Sequence, residues 1–266
     1  MSGHLINTMI LVDTHCHLYL PEFDADRNSM LQRAKDKGVH KFYLPGIDSS
    51  VIDAMLKMQT DFPEQCFPMM GLHPCSVKEN YLEELQLIEQ WLNKRTFAAV
   101  GEIGLDFYWD KTFAQQQYDA FNKQMEIALK HHLPIVIHSR DAMQECINEV
   151  KPFAARGLKG VFHCFGDSLD AANQIIDMGF CLGIGGVVTY KKSGLAEVLQ
   201  HVSLDHIVLE TDAPYLTPVP FRGKRNESSY ITYVAEKIAE AKAITVEEVA
   251  DVTTRNAEKL FTPVSP

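Results

Sequence analysis

Short apolar runs alternate with longer stretches of helical spacing eight times along this 266-residue chain, and that alternation constrains the fold most. The runs 10–13, 41–44, 66–71, 98–101, 135–138, 160–163, 180–183 and 207–210 read as strands. Helical spacing falls near 24–37, 48–61, 80–94, 113–131, 140–151, 168–178, 193–200 and 228–242. A further C-terminal helix is predicted over 245–260, opened by Thr245 with Glu248 three residues on as a capping box. Each crossover helix returns the chain to the same edge direction, so the sheet is expected to be mostly parallel. An open doubly wound sheet would satisfy alternation alone. The count of eight, and polar residues at the ends of many different strands, favour closure into a (β/α)8 TIM barrel, where all strand ends meet at one face. The whole of 1–266 is expected to be one such domain, with 1–8 a short N-terminal extension ahead of the first strand.

No apolar run approaches the roughly 20 residues a membrane span needs, and 1–8 lack the basic and apolar regions of a signal peptide. Six cysteines at 16, 66, 75, 146, 164 and 181, with no CxxC pair, are expected to be reduced thiols in a cytoplasmic protein. The formal charge of −10 argues against a protein that grips nucleic acid over its whole surface. Any such contact is expected to be local, through bound cations and a few basic residues at one mouth, and no protein partner or membrane is inferred.

The chemistry lies at the strand ends. The first strand ends Asp13-Thr14-His15-Cys16-His17, and alternation places Asp13, His15 and His17 on one face. A lone His-x-His is a weak signal. The fourth strand delivers Glu102 after a glycine, the fifth delivers His138, and the sixth delivers His163, each behind an apolar run. After the eighth come Glu210 and Asp212, which share a face by the period of two. Glu210 lies inside an apolar run, where a carboxylate must be paired, metal-bound or placed to orient a ligand. His15, His17, Glu102, His138, His163 and Asp212 thus come from five strand ends. Imidazole nitrogen with carboxylate oxygen suits zinc, manganese, iron or cobalt, and six donors for two divalent cations leave positions open for water and substrate.

These segments resemble the TatD family of metal-dependent hydrolases, within the amidohydrolase superfamily. The matching text is Val12-Asp13-Thr14-His15-Cys16-His17, Gly71-Leu72-His73-Pro74, Gly101-Glu102-Ile103-Gly104-Leu105-Asp106, Ile137-His138-Ser139-Arg140, Phe162-His163-Cys164-Phe165, Leu209-Glu210-Thr211-Asp212 and Pro214-Tyr215-Leu216-Thr217-Pro218. The order is the family's and nearly the whole chain is covered. The resemblance implies a barrel, and several members are metal-dependent deoxyribonucleases. It implies that His15, His17 and Asp212 hold one metal, that Glu102 bridges, and that His138 and His163 hold the second. The family often reads Arg-Asn-Glu-Pro where this chain has Arg225-Asn226-Glu227-Ser228, a change expected to alter only a loop.

The expected reaction is hydrolysis of a phosphodiester, in DNA foremost, by a metal-activated water with Asp212 as general base. His73 and Arg140 are expected to hold non-bridging phosphate oxygens, since the arginine fork donates two parallel hydrogen bonds. His73 would otherwise cap a loop beside Pro74, and Arg140 would be a solvated residue opening the fifth helix. Phe107, Tyr108 and Trp109 would stack bases or line a lid, and Arg222, Lys224 and Arg225 form a basic cluster near the mouth. Cys16 and Cys164 are expected to face away from the metals and pack. Two rival functions remain at this level: an amidohydrolase acting on an ester, lactone or amide, and a non-catalytic barrel scaffold.

Overall fold

In a computed structural model, which describes residues 9–262, the strand side chains divide into two buried sets. Val12, Tyr43, Met69, Ala99, Val136, Val161 and Val208 form one cluster, a side chain from or beside each of seven strands. Their sequence neighbours, among them Leu11, Phe42, Val100, Ile135, Ile137, Phe162 and Leu209, pack in the larger cluster with the helices. This is the two-face pattern of a barrel, one face lining the axis and one meeting the helical ring.

The strands are β1 (Leu11–Asp13), β2 (Val39–Leu44), β3 (Cys66–Pro68), β4 (Val100–Asp106), β5 (Ile135–Arg140), β6 (Gly160–Phe162), β7 (Cys181–Ile184) and β8 (Ile207–Leu209). The helices are α1 (Arg27–Asp36), α2 (Ile52–Asp61), α3 (Tyr81–Lys94), α4 (Ala114–His131), α5 (Met143–Ala154), α6 (Leu169–Asp177), α7 (Leu195–Leu199), α8 (Ile231–Lys242) and α9 (Val246–Leu260). All pairing is parallel, in the orders β1-β2-β3 and β4-β5-β6-β7-β8. The ladder is not continuous round the ring. Single bridges join the two pieces, Met70 to Val100 at one seam and Cys16 to Ala213 at the other. At the second seam Thr14 N donates to Leu209 O (3.0 Å), Asp212 N to His15 O (2.9 Å) and His17 N to Ala213 O (2.7 Å). The fold is a (β/α)8 barrel with an extra C-terminal helix.

Two element boundaries differ from the sequence reading in ways that matter. β4 runs on to Asp106, paired with Arg140, so Glu102 lies within the strand and Arg140 ends β5 rather than opening α5. β3 stops at Pro68, three residues earlier than expected. Within β4, Val100 pairs with Ile135 but Ile103 with Ile137, three steps against two. That extra residue is a β-bulge, which bends a strand and re-aims its side chains. Without it Glu102 would share the outer face of Val100; with it the carboxylate turns to the axis.

Helix α9 closes the opposite end. Phe261 stacks on Tyr43 (ring centroids 4.3 Å apart), and Asn256 Nδ2 donates to the carbonyls of Leu204 (2.7 Å) and Ile207 (2.8 Å). Thr245 Oγ1 accepts from Glu248 N at 3.1 Å, one of the two bonds of the expected capping box. The expectation for 1–8 lies outside the described residues. Among the described residues no helix is long and apolar enough to cross a membrane, and all six cysteines are free thiols.

Candidate metal centre

Where the strands end, the barrel brings together every candidate ligand. Glu102 is the hub. Its Oε2 lies 3.2 Å from His15 Nε2 and 3.7 Å from His17 Nε2. Its Oε1 lies 2.8 Å from His138 Nδ1 and 3.5 Å from both His73 Nε2 and His163 Nε2. Asp212 Oδ1 lies 3.6 Å from His17 Nε2 and 3.8 Å from His15 Nε2. Donor atoms within each of the groups His15/His17/Asp212, His15/Glu102/His163 and His73/Glu102/His138 lie within 4.8 Å of one another.

Local backbone explains the convergence. β1 ends at Asp13, and the chain bends before His15, so alternation fails there. The expected common face of Asp13, His15 and His17 is therefore not formed. Asp13 turns to the β8–α8 side, accepting from Thr211 N (3.0 Å), Thr211 Oγ1 (2.6 Å) and Ser228 Oγ (2.6 Å). Burial pushes the Asp13 carboxyl up to about 7, with the Ser228 and Thr211 bonds opposing. Ser228 stands where the family pattern has proline, so the change does more than alter a loop: its hydroxyl ties α8's approach to the strand that carries His15. On β5, β6 and β8 alternation holds, and His138, His163 and Glu210 fall on the inner face with Val136, Val161 and Val208.

The orienting contacts fix which nitrogen faces the cavity. Tyr19 donates its hydroxyl proton to Pro45 O (2.6 Å) and so accepts from His17 Nδ1 (2.8 Å), leaving Nε2 with its lone pair toward Glu102 and Asp212. His138 Nε2 lies 2.9 Å from Asp106 Oδ2, leaving Nδ1 toward Glu102. Such partners set the tautomer of metal-binding histidines and raise their basicity. Asp106 and Tyr19 were not singled out by sequence reasoning. An aspartate closing a wholly buried strand was the available signal for the first; nothing in the local sequence marked the second.

His73 fills the capping role considered for it, with its other nitrogen turned to the centre. Its Nδ1 accepts from Cys75 N (3.1 Å), capping the turn at Pro74, while Nε2 faces His138 Nδ1 (3.2 Å) and Glu102. Arg140 stacks on Tyr108 (3.9 Å) and Trp109 (5.1 Å) and pairs with no carboxylate among the described residues. Glu210, left open by the sequence, approaches His163 Nδ1 to 2.9 Å and accepts from Cys164 N at 2.6 Å. Cys164 does not face away: its sulfur lies within 4.8 Å of donors on His163 and Glu210, because a φ of +49° breaks the strand alternation. Cys16 packs as expected, buried with its thiol toward Tyr43 O.

The electrostatics suit a cation. Although burial opposes ionisation, the surrounding imidazoles, His73 first, hold Glu102 well below the usual carboxylate range. Asp106 and Asp212 are likewise lowered against burial, chiefly by bonds to His138 and His17. Burial lowers His163, but Glu210 and Glu102 outweigh it and bring it to about 10. His15 is wholly buried with neither ring nitrogen hydrogen-bonded, and Glu210 Oε2 is also without a partner. Orphaned imidazole nitrogen aimed at ionised carboxylates at 3.2–3.8 Å is unfavourable unless a positive charge sits between them, so the donor set fits a divalent cation. The side chains of Asp212, His73 and His138 keep 14–16% exposure while His15 has none, so solvent enters from that side.

Comparison with known proteins gives the same assignment of kind. A family model described as "TatD related DNase" matches residues 12–262. The "uncharacterized metal-dependent hydrolase YabD" of Bacillus subtilis is 38% identical over 253 residues, covering 95% of this chain and 99% of the relative. The "3'-5' ssDNA/RNA exonuclease TatD" of Pantoea ananatis is 28% identical, covering 94% and 99%. The crystal structure of an Escherichia coli TatD homologue, YjjV, superposes with a TM-score of 0.89 at 29% identity, covering 96% of this chain and 98% of that one.

Proposed function

Because the chain belongs to the TatD family of metal-dependent hydrolases, we propose that it hydrolyses phosphodiester bonds, with single-stranded nucleic acid, DNA foremost, as substrate. What carries the reading is Glu102, whose two oxygens face different sets of histidines: His15 and His17 on one side, His73, His138 and His163 on the other. A carboxylate so shared would be able to serve two cations. His15, His17 and Asp212 would hold one, and His138 and His163 the other, with Glu210 beside His163 Nδ1 to orient that ring. The cations supply Lewis acidity and positive charge at the reacting phosphorus.

The chain's own groups do the rest. Asp212, ionised and partly open to solvent, orients the attacking water and takes its proton. Arg140, paired with no carboxylate among the described residues and laid on Tyr108, donates to non-bridging phosphate oxygens, and His73 Nε2 lies beside the same opening. Asp106 and Tyr19 keep His138 and His17 in the required tautomers. The Pantoea relative named as an ssDNA/RNA exonuclease supports the substrate class.

A metal-reconstituted screen across short DNA, RNA, simple phosphoesters and lactones tests this. Turnover is expected to be highest on single-stranded DNA and to vanish with chelator. A preference for lactones, or no cleavage of any phosphodiester, overturns it. Equal turnover by Asp212→Asn with the metals still bound removes the role given to Asp212.

A further inference from the structure

Exposed apolar side chains are concentrated at the metal-centre face. Of seven large hydrophobic residues that stay exposed among those described, Tyr108 and Trp109 follow β4, and Tyr215, Leu216 and Val219 follow β8. Loops after strand C-termini rim the site in this fold. Arg140 is braced on the first of these loops. A second arginine shares its features: the Arg222 guanidinium lies 4.0 Å from the Tyr190 ring and pairs with no carboxylate among the described residues. Its neighbour Arg225 differs, being bonded to Asp26 (2.7 and 2.9 Å) and near Glu227, so of the three basic residues of the cluster Arg225 is committed to carboxylates, Lys224 lies over the Phe221 ring (5.7 Å) and Arg222 stays available.

The Arg222–Tyr190 pair is built onto the metal centre. A Cβ on Gly183 would lie 2.3 Å from Glu210 Oε2, so β7 runs directly behind that carboxylate. A Cβ on Gly186 would meet Leu216 O at 2.1 Å, so the following turn is pressed against the loop after β8. Tyr190 OH donates to Thr217 O (3.0 Å) and Val219 N to Thr189 Oγ1 (2.9 Å). One hydrogen-bonded wall thus rises from Glu210 to Tyr190 and carries Arg222 at its rim. Burial, above all, raises the Tyr190 phenol, with Arg222 opposing and Cys164 and Asp212 adding.

We propose that Arg222, laid on Tyr190, is an anion subsite for a phosphate adjoining the scissile one, so that the site favours substrates carrying at least two phosphodiester groups. The inference rests on the nuclease reading above and deepens it. A guanidinium fork matches phosphate geometry, and stacking on a fixed ring holds it ready without competing for a carboxylate. In a chain of net charge −10 such an arginine is a local exception that attracts a polyanion where the general field repels it. The exposed ring of Tyr215, whose centroid lies 6.2 Å from that of His17, offers a base a stacking face beside the metal centre.

The test uses tetrathymidylate in which each non-scissile linkage in turn is a neutral methylphosphonate, with the metal-loaded full chain and kcat/KM as readout. In the wild type one such neutralisation is expected to lower kcat/KM about ten- to a hundredfold, the range of a charge-assisted hydrogen bond. In Arg222→Ala the same neutralisation should change it less than about twofold, and the salt dependence of binding should weaken by about 0.7 in log–log slope. Arg222→Gln serves equally if the alanine variant does not fold. A neutralisation effect as large in the variant as in the wild type, or no sensitive linkage at all, overturns the subsite and leaves the nuclease reading standing. Failure of the wild type to cleave the all-phosphate tetramer overturns both.

Discussion

Replacing Asp106 with Asn removes one negative charge and almost no volume, yet it is expected to disable a metal position. Asp106 accepts on both sides: Oδ2 lies 2.9 Å from His138 Nε2, and Oδ1 accepts from the amides of Tyr108 (3.0 Å) and Trp109 (3.2 Å). Asparagine accepts on one side only. If its oxygen stays with the two amides, its NH2 group faces His138 Nε2 and stabilises the tautomer protonated at Nδ1. That nitrogen is the one 2.8 Å from Glu102, and a proton there occupies the lone pair a cation needs. If the amide flips, its NH2 group meets two backbone donors instead. Either arrangement loses a charge-assisted bond of about 1.5–3 kcal/mol in a buried place. The expected loss in affinity for the cation that His138 would hold is about ten- to a hundredfold, in line with orienting partners of metal-bound histidines generally. Calorimetric titration of chelator-stripped wild type and Asp106→Asn with Mn2+ or Zn2+ reads this directly, with circular dichroism to establish that the fold is kept. Affinities within about twofold of each other in a folded variant would refute tautomer control by Asp106.

Three further outcomes follow from the same coordinates. Saturating metal, at about 100 times its dissociation constant, should stabilise the wild type by about 2.7 kcal/mol, while Glu102→Gln should lose most of that shift in a thermal melt. Asp26 is held below the usual carboxylate range, chiefly by hydrogen bonds from Arg225 and Arg33. The native state therefore binds fewer protons there than the unfolded chain, and the stabilisation is present above a pH of about 4 and fades as pH falls toward the depressed value. With the carboxylate about a third exposed, Asp26→Asn should cost about 1 kcal/mol or less at pH 7 and nothing at strongly acidic pH, as urea melts across that range would show. Phe261→Ala, which empties the place beneath Tyr43, should lower stability by about 3–5 kcal/mol in urea with little change in metal affinity.

Much of the architecture was legible because strand and helix periods differ and recur eight times. The inner positions of β5, β6 and β8 obey alternation, so the apolar runs that deliver His138, His163 and Glu210 turn these side chains to the axis. What could not be read was where alternation stops. Nothing local in Asp13-Thr14-His15 announces that the strand ends at its first residue, so Asp13 was aligned with the histidines although it serves Thr211 and Ser228. The β4 bulge was equally silent, since it depends on how Val100 and Ile103 register against β5. The positive φ of Cys164, which turns its thiol toward the site, was hidden for the same reason. Orienting partners such as Tyr19 and Asp106 are recognised only once the side chains they hold are in place.

The ring of strands is stitched by single bridges at two points, and both lie beside donor side chains. At the β8–β1 seam His15 and His17 stand on one bank and Asp212 on the other; at the β3–β4 seam Gly101 N, next to Glu102, donates to Met70 O at 3.1 Å across the gap. A cation held by these groups is therefore also a rivet, closing the hoop where the backbone does so least. Amide protons of Thr14, His17 and Asp212 should exchange with deuterium faster than those of the β4–β5 ladder in chelator, and slow selectively once metal is restored. The centre that binds metal would then also be the buckle that keeps the barrel round.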